Sequence, residues 1–284
     1  MPHRRLLQAL SRAQRPGARQ TRGFATSSPP QTELQNGLPL LFSTLWRCAT
    51  RYDELEQWEA KELVPSTLSM TERHKLFMIL NTPPHLDFEA EDFLTGAKDA
   101  MEKVIRASKT REFAQYATGE ITESSIADAM KEWCTPRGLK FHEDAVKKAV
   151  QGNQLIVEAE HVEVESAQIQ ECVYGQVTEK EFEEELHGRR RVINEITENA
   201  SLERLFVSVK LTVHERLRRE RINEEVQVLE QTNVYYAVFA SNVTSPDVLD
   251  WGVVANVLGN TVRSKEISRT EISSEDPPTE EKAE

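Results

Sequence analysis

The chain has 284 residues, 35 basic against 47 acidic side chains, and a net charge of −12 at neutral pH. So acidic a chain is poorly suited to tracking a nucleic-acid backbone, which requires an excess of Lys and Arg. No run of residues approaches the roughly 18 apolar positions of a membrane-spanning helix, and the widely spaced Cys48, Cys134 and Cys172 form neither a CxxC pair nor a disulfide framework.

The charge is unevenly placed. Arg4, Arg5, Arg12, Arg15, Arg19 and Arg22 fall within residues 1–24, where there is no acid. Leu6, Leu7 and Leu10 fall on one side of a helix through that segment. An Arg-rich, acid-poor amphipathic start has the composition of a mitochondrial transit peptide. Arg22-Gly23-Phe24-Ala25 resembles a matrix processing site, with cleavage between Phe24 and Ala25. Removing the six arginines leaves −18 on the remainder, a surface suited to basic partners.

Residues 25–37 are rich in Ser, Pro, Gln and Asn and read as a flexible lead. Leu38, Leu41, Leu45, Ala49 and Tyr52 recur at helical spacing, so Leu38 to about Glu62 is expected to be helical. Its apolar side suits either a membrane or partner surface or the chain's own domain. Thr71 to Leu80 is a further short helix, and Asn81-Thr82-Pro83-Pro84 stops it, marking a domain boundary near residue 86. From Asp92 to Ser108, Phe93, Ala97, Met101 and Val104 form one apolar helical face. Short helices follow over Glu112–Ala117 and from Thr122-Glu123-Ser124-Ser125, the latter ended by Thr135-Pro136-Arg137-Gly138.

The period then changes to two. Leu155 to Val164 alternates with a phase shift at Glu160-His161, the mark of a bulge. Leu205 to Val213, Glu225 to Ala240 and Trp251 to Leu258 are three further strands. No helix-length crossover separates the last three, so they pair antiparallel. The charged stretch Gln176–Glu198 reads as an exposed helix inserted between strands, with Glu181–Glu185 a solvated face. The fold class is therefore α+β, helices covering one face of an antiparallel sheet, ending in a disordered acidic tail over residues 263–284.

Catalytic signatures are missing: there is no GxSxG elbow, P-loop or GxGxxG. His142-Glu143 and His214-Glu215 open like zincin motifs but lack the second His, so no catalytic, cofactor or metal residue is expected. Two basic clusters stand out, Arg189-Arg190-Arg191 and Arg216, Arg218, Arg219 and Arg221. The second reads as the tip of a long hairpin. Each suits RNA or anionic lipid, or a solvated loop paired with nearby Glu. The interleaved Glu215 and Glu220, and the lack of aromatics for base stacking, favour the solvated loop over RNA.

The run Phe88-Glu89-Ala90-Glu91-Asp92-Phe93-Leu94-Thr95-Gly96-Ala97-Lys98-Asp99-Ala100-Met101 resembles the opening helix of the mitochondrial Tim-forty-four-like domain family. Its motif residues are Phe93, Gly96, Ala97, Lys98 and Ala100. Of the family's members, which include the translocase subunit, mitoribosomal relatives and a ribosome receptor, the motif most resembles the matrix AAA peptidase-interacting branch. The resemblance spans roughly residues 75–259 and implies a cone-like, nuclear-transport-factor-two-like domain over residues 87–262. It also implies a non-enzymatic matrix protein, peripheral to the inner membrane, whose partners are precursor proteins, the translocase or the matrix AAA protease. The alternative it implies is a large-ribosomal-subunit protein or ribosome receptor, with rRNA as partner. The insert at 176–200 departs from the family pattern.

Overall fold

The computed structural model describes Leu34, residues 37–221 and residues 225–267. The expected presequence, its cleavage site at Phe24 and Ala25, and residues 268–284 lie outside these. Within them the architecture is mixed α+β, with helices lying over a five-stranded, mostly antiparallel sheet.

The expected helix over 38–62 is two, α1 (Gly37–Thr50) and α2 (Tyr52–Ala60). Arg47, at the end of α1, donates to the carbonyls of Pro83 and Leu86. Arg51, at the break, donates to Asn81 Oδ1 at 3.0 Å and to Phe88 O at 2.9 Å. The carbonyls of the proline-containing loop thus receive their donors from two guanidinium forks. α3 (Met70–Leu80) starts in a capping box, in which Ser69 and Glu72 satisfy each other's backbone N–H. Leu40, Leu55, Trp58, Phe77 and Leu80 are buried in the same hydrophobic cluster as the sheet. The boundary expected near residue 86 falls inside that cluster.

α4 (Ala90–Ser108) buries Phe93, Ala97, Met101 and Val104 as the spacing predicts, with Ile105 added. Phe93 meets Trp251 edge-on at 4.9 Å and Phe239 at 5.7 Å between ring centres. Met101, Val104 and Ile105 are wholly enclosed, each worth about 1.5–3 kcal/mol of burial. α5 (Arg111–Thr118) and α6 (Ser125–Trp133) are capped by Thr110 and Ser124. The long α7 (Pro136–Asn153) is a correction to the reading of Thr135–Gly138 as a stop alone. The Thr135 hydroxyl accepts from Gly138 N–H, and Pro136 sits where a missing N–H costs nothing. The segment that ends one helix therefore begins the next.

The strand order is β2-β1-β3-β4-β5, comprising β1 (Leu155–Val177), β2 (Glu195–Ile196), β3 (Leu202–Arg221), β4 (Gln227–Asn242) and β5 (Gly252–Ile267). A helix, α8 (Glu179–Leu186), separates β1 from β2. β1 carries the expected bulge, between Ala159 and His161. Leu205, Val207, Val209, Leu211 and Val213 of β3 face the helices and are fully buried. On β4 the same inner face holds Tyr235, Ala237 and Phe239, and the opposite face holds Val228, Tyr236 and Val238. β5 runs nine residues beyond the expected end at Leu258, pairing Ile267 with Val228. Residues 263–267 therefore belong to the sheet and not to the tail, because the long β4 offers them a ladder that polar composition alone conceals.

Candidate binding surfaces

The outer face of the sheet, away from α4, carries a groove of about 500 Å³. Its floor is apolar and spans four strands: Val173 of β1, Phe206 of β3, Val238 of β4, and Val254 and Ala255 of β5. Its rim is basic. Just past the end of α8 and its C-cap His187, Gly188 has a φ of +71°, the left-handed conformation that glycine tolerates. That reversal lays Arg189, Arg190 and Arg191 along the groove, where Arg137 of α7 joins them with its side chain across Gly188. Arg190 is held internally, by Glu181 at 2.9 Å and Glu195 at 2.8 Å. Arg137, Arg189 and Arg191 point to solvent.

The insert is fastened beneath this rim. Glu185 is fully buried, which corrects the solvated reading of the Glu181–Glu185 face. Its carboxylate receives Arg204 Nη2 at 2.9 Å and lies 2.6 Å from Arg204 Nε, an ion-pair contact not aligned as a hydrogen bond. Arg204 Nη2 also donates to Ile193 O at 2.8 Å. Burial pushes the Glu185 carboxyl up to about 7, against the opposing pull of Arg204. Glu181 acts differently, closing a capping box with Thr178.

The second basic cluster lies elsewhere, in the last rungs of the long β3–β4 hairpin and not in its turn. Arg216, Arg218, Arg219 and Arg221 are ladder residues of β3, opposite residues 155–161 of β1, and the first three also face residues 227–230 of β4. Arg216 Nε pairs with Glu160 at 3.1 Å, and Arg219 donates to Gln231 at 3.4 Å. Glu220 pairs with Arg111 of α5. The neighbouring Glu215 is buried on the inner face. It accepts from Lys109, from Tyr235 Oη at 2.8 Å and from Asn233. Burial lowers the Lys109 pKa and raises that of Tyr235. The Glu215 carboxylate is thus engaged by three internal donors, a structural task. His142 of α7 is buried, with its pKa lowered to about 4 by burial and then by Lys109.

The motif residues of α4 have structural tasks. Phe93 and Ala97 are buried, Gly96 and Ala100 half-buried, and Lys98 Nζ donates to Glu165 O of β1 at 2.9 Å. Among the described residues no group of three His, Cys, Asp or Glu side chains is placed to hold a metal ion. Cys134 and Cys172 are buried and their thiols are pushed up by burial, Cys134 to about 12. That makes both poor nucleophiles.

A second surface is α1. Leu40 and Thr44 face the domain, while Leu38, Leu41, Phe42, Leu45 and Trp46 are exposed, Trp46 at 72%. The exposed set forms one continuous stripe along the helix. Among the described residues no helix is long and apolar enough to cross a membrane. No family model, curated protein or solved structure matches the chain.

Proposed function

We propose that this chain is a non-enzymatic protein of the mitochondrial matrix, peripheral to the inner membrane. It binds precursor proteins or the matrix AAA protease and so aids the import, sorting, maturation or assembly of inner-membrane proteins. Its domain is read as Tim-forty-four-like, a cone of helices on a curved sheet akin to nuclear-transport-factor-two-like domains. The Arg-rich first 24 residues support the compartment, and the α4 motif supports the family.

The observation that carries the membrane-side reading is the α1 stripe. Arg47 and Arg51 anchor the base of the helix to the Pro83–Phe88 loop. Leu38, Leu41, Phe42, Leu45 and Trp46 are thereby held outward on a fixed support. At 14 residues the helix is about 21 Å long, too short to span a bilayer and suited to lying in its interface. The ribosomal alternative is the weaker reading, since Arg216 and Arg219 direct their donors to Glu160 and Gln231 within the sheet.

The test is fractionation of mitochondria expressing the full chain, with cross-linking to newly imported inner-membrane precursors and to the AAA protease. The wild type is expected in the membrane pellet, released by alkaline extraction. The triple change Leu41→Glu, Leu45→Glu and Trp46→Glu is expected to move it to the soluble fraction. A chain that stays soluble and cross-links to neither partner would refute the proposal.

A further inference from the structure

The two long edges of the sheet are treated differently. On the β1 side the outward backbone groups are covered. Ala159 N–H donates to Lys109 O at 2.9 Å, and Ile169 N–H donates to Leu63 O at 2.8 Å. The carbonyls of Val162 and Glu165 accept from Arg106 at 3.3 Å and from Lys98 at 2.9 Å. Tyr174 N–H donates to Asn194 Oδ1 at 3.0 Å. Helices and long cations thus close this edge to further strands.

On the β5 side only the beginning is covered, where Val253 O accepts from Thr135 N–H at 2.9 Å. From Asn256 to Ser264, among the described residues, no backbone group meets a partner on the outer side. Val257, Leu258 and Val262 of this stretch are exposed at 49, 51 and 63%. Residues 252–262 hold no charged side chain, in a chain of which 29% is charged. Charge depletion combined with exposed apolar side chains is the composition of an interface core, and an unpaired row of N–H and C=O groups is a template for a strand.

We infer that the outer edge of β5 binds an extended, uncharged, apolar stretch of another polypeptide by strand addition. The inference rests on the precursor-binding reading and names how that binding occurs. Main-chain hydrogen bonds recognise any extended segment, which suits a protein that handles precursors of differing sequence. Val257, Leu258 and Val262 favour segments rich in apolar residues, as future membrane spans are. The bulges in the register of β5 at Gly259 and Val262 favour a flexible occupant over a second copy of the chain. Two rigid edges, each kinked at its own bulges, align poorly, whereas an unfolded segment kinks to match.

The test uses the full chain and a fluorescent peptide alternating Val and Thr between terminal Lys residues, titrated by anisotropy. The same peptide with alternate backbone N–H groups methylated is the control for ladder pairing. Binding is expected with the plain peptide and not with the methylated one. The double variant Leu258→Lys and Val262→Lys is expected to weaken it by about tenfold or more. Both side chains are exposed, so the variant should keep the wild-type melting temperature. Equal binding of both peptides, or of both proteins, would overturn the inference. So would a wild-type dimer in solution that the double variant converts to monomer. Cross-linking of an imported precursor runs in parallel. A precursor captured equally by wild type and variant leaves precursor binding standing while the edge fails, and capture by neither removes both.

Discussion

The buried pair of Arg204 and Glu185 offers the sharpest test of how the insert is held. Both side chains are 0% exposed, and Arg204 further serves Ile193 O and Glu195. Arg204→Met keeps most of the volume but removes the ion pair and the bond to the Ile193 carbonyl. Lost hydrogen bonding alone costs about 1–3 kcal/mol. At pH 8 the stranded Glu185 must also stay ionised without a partner or take a proton, which brings the loss to about 3–5 kcal/mol. Glu185 already sits at about 7 in the folded chain, and losing the guanidinium raises it further. A carboxyl raised above its unfolded value loses stability as pH rises, by about 1.4 kcal/mol per pH unit between the unfolded and folded pKa. The variant should therefore lose more at pH 8 than at pH 5. Glu185→Leu combined with Arg204→Met should return to within about 1 kcal/mol of wild type, with Glu195 still paired to Arg190 at 2.8 Å. Urea unfolding followed by tryptophan fluorescence at the two pH values measures all of this. A single variant losing under about 1 kcal/mol at pH 8, or losing equally at both pH values, would refute a structural role for the pair.

Gly175→Ala is expected to destabilise by about 1–3 kcal/mol in the same assay, because the new Cβ would lie 2.8 Å from Arg204 Cζ and the locked guanidinium has no room to withdraw. His142 titrates at about 4 in the folded chain and near 6.5 unfolded. Stability is therefore complete above pH 6.5 and falls by about 3 kcal/mol as pH drops to 4. His142→Leu should flatten that part of the melting-temperature profile, and an unchanged slope would assign acid sensitivity to other groups. Phe93→Ala, which opens the cluster with Phe88, Phe239 and Trp251, should cost about 3–5 kcal/mol by urea unfolding. The α1 stripe should behave oppositely. Trp46→Glu leaves the melting temperature unchanged, since the ring is exposed, and weakens flotation with vesicles of inner-membrane composition.

Elements whose residues meet one environment along their length were legible in the sequence. The α4 face of Phe93, Ala97, Met101 and Val104 and the inner face of β3 repeat with a single period, so periodicity alone identifies them. The caps Ser69, Thr110 and Ser124 act within a few residues of themselves but were not read from the sequence. α7 was concealed because its one buried large side chain is His142, while its apolar residues Leu139, Val146, Ala149 and Val150 are only half-buried. The last residues of β5 were concealed for a related reason. Their side chains are exposed on both faces, so what makes them a strand is the ladder to β4 and not any apolar alternation.

The charged residues divide along the same line. Glu215 carried a signal: Leu205, Val207, Val209, Leu211, Val213 and Leu217 are the buried phase of β3, and Glu215 sits in that phase. An acid in the apolar phase of a strand must meet a donor, and Lys109, Tyr235 and Asn233 supply three. Arg204 and Glu185 carried no such signal. Arg204 lies in the outer phase of β3, which elsewhere holds half-exposed residues such as Ser208 and Lys210, and Glu185 is one of four acids in a run of five. Only contact between the insert and the sheet buries them. This asymmetry explains why two similar arginine clusters differ. Glu215 and Glu160 tie the end of β3 into the body of the sheet, so Arg216 and Arg219 are ladder residues with partners. Arg204 draws the insert down by its buried side, so that Phe182 and Leu186 pack on the Phe206 and Val254 floor and the turn at Gly188 presents Arg189 and Arg191 outward at its rim.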